Sequence, residues 1–91
     1  MKNRSRTDLI GSILEAIVRG RSTKTKIMYG AYLSYTQLNE YMSFLLEAGL
    51  VEDQNSKQDL FSPSFVITEK GKHFLDIQNK INEMVTVVQS G

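Results

Sequence analysis

The sequence predicts a small α+β fold, mostly helical, in which three helices are followed by a two-stranded hairpin and a longer fourth helix. Two observations indicate this order. Two helical patterns within residues 23–49 are joined by Ala31, Tyr32 and Leu33 alone, and so short a connection allows only a sharp corner. Two short segments then flank a polar run that holds the only proline: 50–52 directly after Gly49, and 65–67, which is β-branched and aromatic.

The first helix is predicted from an apolar stripe near the start of the chain. The members of this stripe recur at spacings of one and of three or four residues, as one face of a helix requires. Thr7 is expected to cap the N-terminus of this helix, and Gly20 is expected to end it. The stripe consists of Leu9, Ile10, Ile13, Leu14, Ile17 and Val18.

The second and third helices are predicted from their capping residues. Thr23 is a favourable N-cap for the second helix, and Gly30 is expected to end it. Ser34 can open the third helix by accepting a hydrogen bond from the amide of Gln37, whose side chain can reach back to the Ser34 amide. Gly49 ends this helix. With an apolar turn residue facing inward, the two helices form the pattern of a helix-turn-helix, whose second helix presents its outer face to a groove.

The third helix divides into two faces when its residues are placed at 100° intervals. Its apolar face is expected to pack in the core and consists of Leu38, Tyr41, Met42, Leu45 and Leu46. Phe44 falls toward the polar face and requires a cover or an interface. Asn and Gln side chains can pair with adenine, and Ser and Thr can contact bases or phosphates. The candidates for reading bases are Tyr35, Thr36, Gln37, Asn39 and Ser43. A solvated polar face is the alternative, and for Tyr35 so is a half-buried ring.

The segments 50–52 and 65–67 predict a hairpin wing, and Thr68 is expected to cap the fourth helix. The wing carries Asp53 and Asp59 against Lys57 alone, so it is a poor candidate for contacting phosphate. Three helices, two strands and a helix are the order of a winged helix-turn-helix domain. We assign this domain to residues 1–76.

Positive charge is concentrated in the N-terminal third of the chain. The formal net charge is only +1, but residues 1–30 hold seven basic and two acidic residues, a balance of +5, whereas the rest balance at −4. Phosphates respond to the local field within about 8 to 10 Å at ordinary salt. The candidates for contacting the DNA backbone are Arg4, Arg6, Arg21, Lys24 and Lys26. The alternative is a basic tail that only aids solubility.

The fourth helix carries an apolar stripe that extends beyond the predicted domain. Phe74 and Leu75 can close the core, but the stripe continues through positions 77, 81, 84 and 88 at spacings of three and four. A free apolar stripe of this kind favours pairing with a second copy, so residues 77–91 are assigned to dimerisation. The alternative is a helix that folds back on the first one. The dimerisation candidates are Ile77, Ile81, Met84, Val85 and Val88.

Two segments resemble a known family. KTKIMYGAYLSYTQLNEYMSFLLEAGLVE (24–52) and ITEKGKHFLD (67–76) are similar to the small archaeal winged helix-turn-helix proteins, which include transcriptional regulators and abundant chromatin proteins. The resemblance covers roughly residues 9–76. It implies binding to double-stranded DNA, no enzymatic activity, and a homodimer formed by an antiparallel coiled coil of the last helix.

Other functions find little in the sequence. Cysteine is absent and His73 is the only histidine, so no metal site, cofactor site or catalytic group is predicted. We see no signal peptide or membrane segment and expect a cytoplasmic, nucleoid-associated protein. The sequence predicts an archaeal transcriptional regulator. An architectural chromatin protein and a winged-helix module that binds protein stay open, as does any small-molecule effector.

Overall fold

The computed structural model describes residues 5–54 and 64–90, the side chains of 86–90 excepted. The order of elements confirms the predicted fold. Three helices come first, followed by two antiparallel strands and a fourth helix. The elements are α1 Arg6–Val18, α2 Lys24–Ala31, α3 Tyr35–Ala48, β1 Val51–Asp53, β2 Phe65–Ile67 and α4 Glu69–Ser90.

The start of α1 corrects the predicted cap. Ser5, not Thr7, is the N-cap, and its hydroxyl accepts a hydrogen bond from the amide of Asp8 at 3.1 Å. The Asp8 carboxylate in turn accepts from the Ser5 amide at 3.2 Å. Such a reciprocal cap needs a polar acceptor three residues after the N-cap. Asp8 supplies it for Ser5, whereas a cap at Thr7 would find the apolar Ile10 there.

The turn between α2 and α3 corrects a second prediction. Thr23 caps α2 as expected, but the helix continues through Gly30 and ends at Tyr32, which adopts a left-handed conformation with φ of 58°. Gly30 is instead a point of close approach, because a Cβ there would meet the Arg21 side chain and the methyl group of Ala16. The left-handed turn at Tyr32 brings the following residue, Leu33, into the core, where it is 8% exposed.

The termini of α3 are as predicted. Ser34 and Gln37 exchange hydrogen bonds between side chain and backbone at 3.1 and 3.2 Å. Gly49 ends the helix in the left-handed conformation, with φ of 79°. These caps satisfy amides and carbonyls that a helix leaves unpaired at its ends.

The hairpin is attached to the segment before α2. Val51 pairs with Ile67 and Asp53 with Phe65 in the antiparallel register. On the other edge of β2, the amide of Phe65 donates to the carbonyl of Ser22 at 2.8 Å. The hairpin is thereby held beside the start of α2, close to α3. The predicted loop residues Lys57 and Asp59 lie outside the described residues.

The core is formed mainly by α1, α2, α3 and β1, and Phe65 of β2 and Leu75 of α4 are also buried in it. Its largest fully buried side chains are apolar, and no polar or charged residue is buried in the part of the chain that the structure describes. Tyr41 packs against this core but is only half-buried. Leu46, predicted to be buried, is 39% exposed, because it lies about 80° around the helix from the fully buried Leu38. The fully buried set is Ile13, Leu14, Ile27, Leu38, Met42, Leu45 and Val51.

The first turns of α4 are fixed to the domain. The Thr68 hydroxyl donates to the carbonyl of Gly49 at 2.6 Å and accepts from the amide of Gly71, so Thr68 caps α4 as predicted. Leu75 is buried, and Phe74 packs against the core beside it. Gln78 then donates to the carbonyl of Thr7 in α1 at 2.7 Å. Among the described residues, no helix combines the length and apolar character needed to cross a membrane.

Candidate nucleic-acid interface

The outer face of α3 is exposed and polar along its length. Thr36, Glu40, Ser43 and Glu47 all lie in solvent, and Tyr35 is 63% exposed rather than half-buried. Of the five candidates for reading bases, four are therefore accessible and Asn39 is half-buried. The amide oxygen of Gln37 accepts a hydrogen bond from the Ser34 amide, which leaves its nitrogen and one lone pair of the oxygen for a ligand.

One flank of α3 is joined to α2 by a hydrogen bond. Nζ of Lys24 donates to Oδ1 of Asn39 at 3.1 Å, and both side chains are half-buried. The structure therefore brings a candidate for the DNA backbone into contact with a candidate for reading bases. Asp53 and Phe65 of the hairpin border the same depression in the surface.

The opposite flank of α3 is covered by the start of α1. The guanidinium carbon of Arg6 lies 5.5 Å from the centre of the Phe44 ring, a cation–π distance. This contact explains why Phe44 lies on the polar side of α3, where it remains 40% exposed. An exposed pair of this kind contributes about 0.5 to 1 kcal/mol.

The two contacts place one cation on each flank of the exposed face. Asn39 and Phe44 are about 140° apart around the helix, and the outer face lies between them. The centre of that face carries Glu40 and Glu47, so positive charge is confined to its two edges. A major groove has phosphates along both rims and base edges between them, so this distribution of charge matches a groove better than a flat phosphate surface.

The remaining basic candidates are dispersed. Lys26 is exposed on α2, two residues beyond Lys24. Arg21 lies instead along a groove between α1, α2 and α4, where its side chain packs over Gly30. Arg4 lies outside the described residues. The structure thus brings Arg6 and Lys24 to α3 and does not bring Arg21 there.

The second half of α4 exposes its apolar stripe. Ile77, Ile81, Met84 and Val85 are 45, 53, 68 and 48% exposed, so the helix does not bury this stripe by folding back on α1. The side chain of Val88 lies outside the described residues. In the described part of the chain, no group of three or more His, Cys, Asp or Glu side chains is placed to hold a metal ion.

Comparison with known proteins decides the family. The sequence matches the profile of the winged helix-turn-helix family over residues 3–86. The chain belongs to the winged helix-turn-helix family. A sequence relative of this winged helix-turn-helix protein is an uncharacterized protein of Methanocaldococcus jannaschii, an archaeon, at 35% identity over 69 residues. The match covers 76% of this chain and 64% of the relative, so the chain spans less than two thirds of that protein.

Solved structures agree with this fold. Sso10a-2, a DNA-binding protein from Sulfolobus solfataricus, superposes with a TM-score of 0.79 at 21% identity, over 96% of this chain and 87% of that one. Lactococcus lactis ZitR superposes at 0.74 and 19% identity, over 98% and 64% of the two chains. A variant of S. aureus MepR bound to an oligodeoxyribonucleotide superposes at 0.74 and 15% identity, over 91% and 63%. At these identities the likeness establishes the fold of the winged helix-turn-helix protein.

Two contacts of the interface could not be predicted from the sequence. The Lys24–Asn39 hydrogen bond and the Arg6–Phe44 contact both join residues of different helices, and their partners depend on how the helices pack. The misplaced Phe44 was a partial signal, since an aromatic residue on a polar face calls for a cover. Nothing in the sequence pointed to Arg6 as that cover.

Proposed function

We propose that this winged helix-turn-helix protein binds double-stranded DNA with α3 in the major groove. The observation that carries the proposal is the pair of cations, Arg6 and Lys24, held by side chains of α3 on either side of its exposed face. In these places the Arg6 guanidinium can meet a phosphate at one rim of the groove, and the Lys24 ammonium can meet a phosphate or a base edge at the other, while α3 lies in the groove. That Sso10a-2 is described as DNA-binding and the MepR variant is bound to an oligodeoxyribonucleotide supports the proposal through a shared fold.

The proposal is tested by duplex binding as a function of salt. Each phosphate contact is expected to contribute about −0.9 to the slope of log K against log salt on B-DNA. A slope of several units for short random duplexes would support phosphate contact. So would the loss of binding when heparin is added as a competitor. Absence of binding at low salt would reject the proposal and favour a module that binds protein, the rival reading that the acidic residues Glu40, Glu47 and Asp53 support.

We further propose that the protein is a homodimer joined by residues 77–91, which include the second half of α4. The support is the exposed stripe that begins at Ile77, which is a liability on a separate molecule but suits a helical seam. The antiparallel arrangement follows from the family resemblance. A dimer would present two copies of α3 to one duplex and would raise the affinity through bivalency.

The specific role we propose is that of an archaeal transcriptional regulator. It acts by binding DNA and not by catalysis, and its location is the nucleoid in the cytoplasm. The relative in Methanocaldococcus jannaschii supports the archaeal part of this assignment. An architectural chromatin protein is the alternative. A genome-wide occupancy map separates the two, since few sharp sites indicate regulation and broad coverage indicates packaging.

A further inference from the structure

The hydrogen bond from Lys24 determines which end of the Asn39 side chain is available to a ligand. Nζ of Lys24 donates to Oδ1 of Asn39, so one of the two lone pairs of the amide oxygen is engaged and a positively charged donor stands beside the other. The Nδ2 group, which can only donate, remains for other partners. Both side chains are half-buried, and a hydrogen bond with a charged donor is stronger than a neutral one, so this orientation of the amide is favoured.

The two side chains together therefore present donors. The Lys24 ammonium has three N–H groups and uses one of them on Asn39. In the major groove, adenine offers the acceptor N7 beside the donor N6, whereas guanine offers two acceptors, N7 and O6. The N6 group of adenine would face donors, but both guanine acceptors would find partners.

The surroundings of the pair favour a base over a phosphate. The depression that Lys24 and Asn39 border is lined by the apolar side chains of Met42, Leu46 and Phe65. Asp53 of β1 lines it as well, and its negative charge opposes the full charge of a phosphate group more strongly than the partial charges of a base edge.

We propose that Lys24 and Asn39 act as one donor-only unit that recognises the N7 and O6 edge of guanine. The inference rests on the proposed DNA binding and deepens it. It replaces the adenine contact expected of an asparagine alone. It also gives Lys24 a part in specificity, beyond the uniform gain in affinity that a phosphate contact gives.

Selection from a library of random duplexes at fixed salt tests the base preference. The native protein should enrich guanine at one position of each half-site. Lys24→Met keeps the aliphatic stem but frees Oδ1 of Asn39, so the preference there should shift from guanine toward adenine. Lys26→Met, which changes an exposed lysine two residues along the same helix, is the matched control and should retain guanine. Circular dichroism melts establish that each variant is folded.

Affinities for the selected duplex test whether the pair acts as a unit. Lys24→Met and Asn39→Ala should each weaken binding about 5- to 100-fold, the range for one specific base contact. The double variant should bind no more than about twofold less tightly than the single variant with the lower affinity, because the effects of residues that share a contact are not additive. Replacing the selected guanine by 7-deazaguanine should weaken binding by the native protein but not by the double variant.

Three outcomes would overturn the inference while leaving DNA binding intact. The first is that the native protein selects adenine at the position where Asn39→Ala loses its preference. The second is that the losses of affinity from the two single variants multiply in the double variant. The third is that Lys24→Met weakens binding to all duplexes equally and reduces the salt slope. The last would mean that Lys24 contacts a phosphate. If the native protein bound no duplex at low salt, the proposed function itself would fail.

Discussion

The outer faces of α3 and α4 are both open to solvent, yet their chemistry is opposite. The α3 face runs through Thr36, Glu40, Ser43 and Glu47 and has a cation on each flank. The second half of α4 instead exposes an apolar stripe through Ile81, and the hydrogen bond from Gln78 to Thr7 joins it to α1 outside that stripe. Helices of one small domain are thus exposed for different reasons.

The difference indicates what each face can bind. A polar face gains little by excluding water, so its ligand must offer directed hydrogen bonds and charge, as base edges and phosphates do. An apolar stripe gains about 25 cal/mol for each Å² that it buries and makes no directional demand, so a second apolar helix suits it. The first half of α4 shows the same gain realised within the chain, where Leu75 is buried against the domain.

The largest effect is expected from a charge in the α4 stripe. Ile81→Asp should convert a dimer to a monomer, because an isolated carboxylate in an apolar seam is desolvated without a partner. The association constant should fall by more than about 100-fold, measured by sedimentation equilibrium, while the thermal unfolding of the domain persists.

The control for this prediction is Asn79→Asp, which adds the same charge to the same helix outside the stripe. It should leave association nearly unchanged. A native protein that sediments as a monomer at micromolar concentration would refute dimerisation through α4.

The next effect concerns the buried half of α4. Gly71→Ala should lower the free energy of unfolding by about 1 to 3 kcal/mol, because the added methyl group would meet the backbone carbonyl of Leu50 and the side chain of Ile67. Gly11→Ala is the matched control, since its methyl group would meet only the flexible end of Gln78. Urea denaturation measures both. Equal losses would mean that the approach of α4 to Leu50 and Ile67 is not tight.

The sequence predicted what depends on neighbours along the chain. The reciprocal cap of Ser34 and Gln37 and the end at Gly49 follow from spacing alone and are confirmed. The helix ends at Ser5 and Tyr32 were missed, because each competes with a plausible capping residue nearby.

Contacts between helices were beyond the reach of the sequence. The amide of Asn39 was expected to be free for adenine, but the packing of α2 on α3 places Lys24 against its oxygen. Likewise, Arg21 carried the same charge as Lys24 in the sequence but faces another groove. Hydrophobic periodicity predicts which face of a helix is buried, but it does not predict which residues of other helices contact that helix.

A smaller effect is expected from the lysines of α2. Replacing Lys26 by Ala should reduce the slope of log K against log salt by about 0.9 per protomer and weaken all duplexes alike, because its exposed ammonium has the features of a phosphate contact. Replacing Lys24 as well should reduce the slope further only if Lys24 also meets a phosphate. An unchanged slope in both variants would exclude this helix from the contact with the backbone. Lys80→Ala, on α4, is the control that should leave the slope unchanged.

The smallest effect tests the other flank of α3. Phe44→Leu removes the ring that holds Arg6 but keeps an apolar side chain, so binding should weaken about two- to fivefold, the equivalent of one exposed cation–π contact. Phe44→Tyr keeps a ring face and should bind like the native protein. If Phe44 acts only through Arg6, Arg6→Gln should cost at least as much, because it removes the cation itself, and Phe44→Leu should add nothing to that loss. Independent losses in fluorescence anisotropy titrations would mean that Phe44 meets DNA itself, and the two flanks of α3 would then differ in kind.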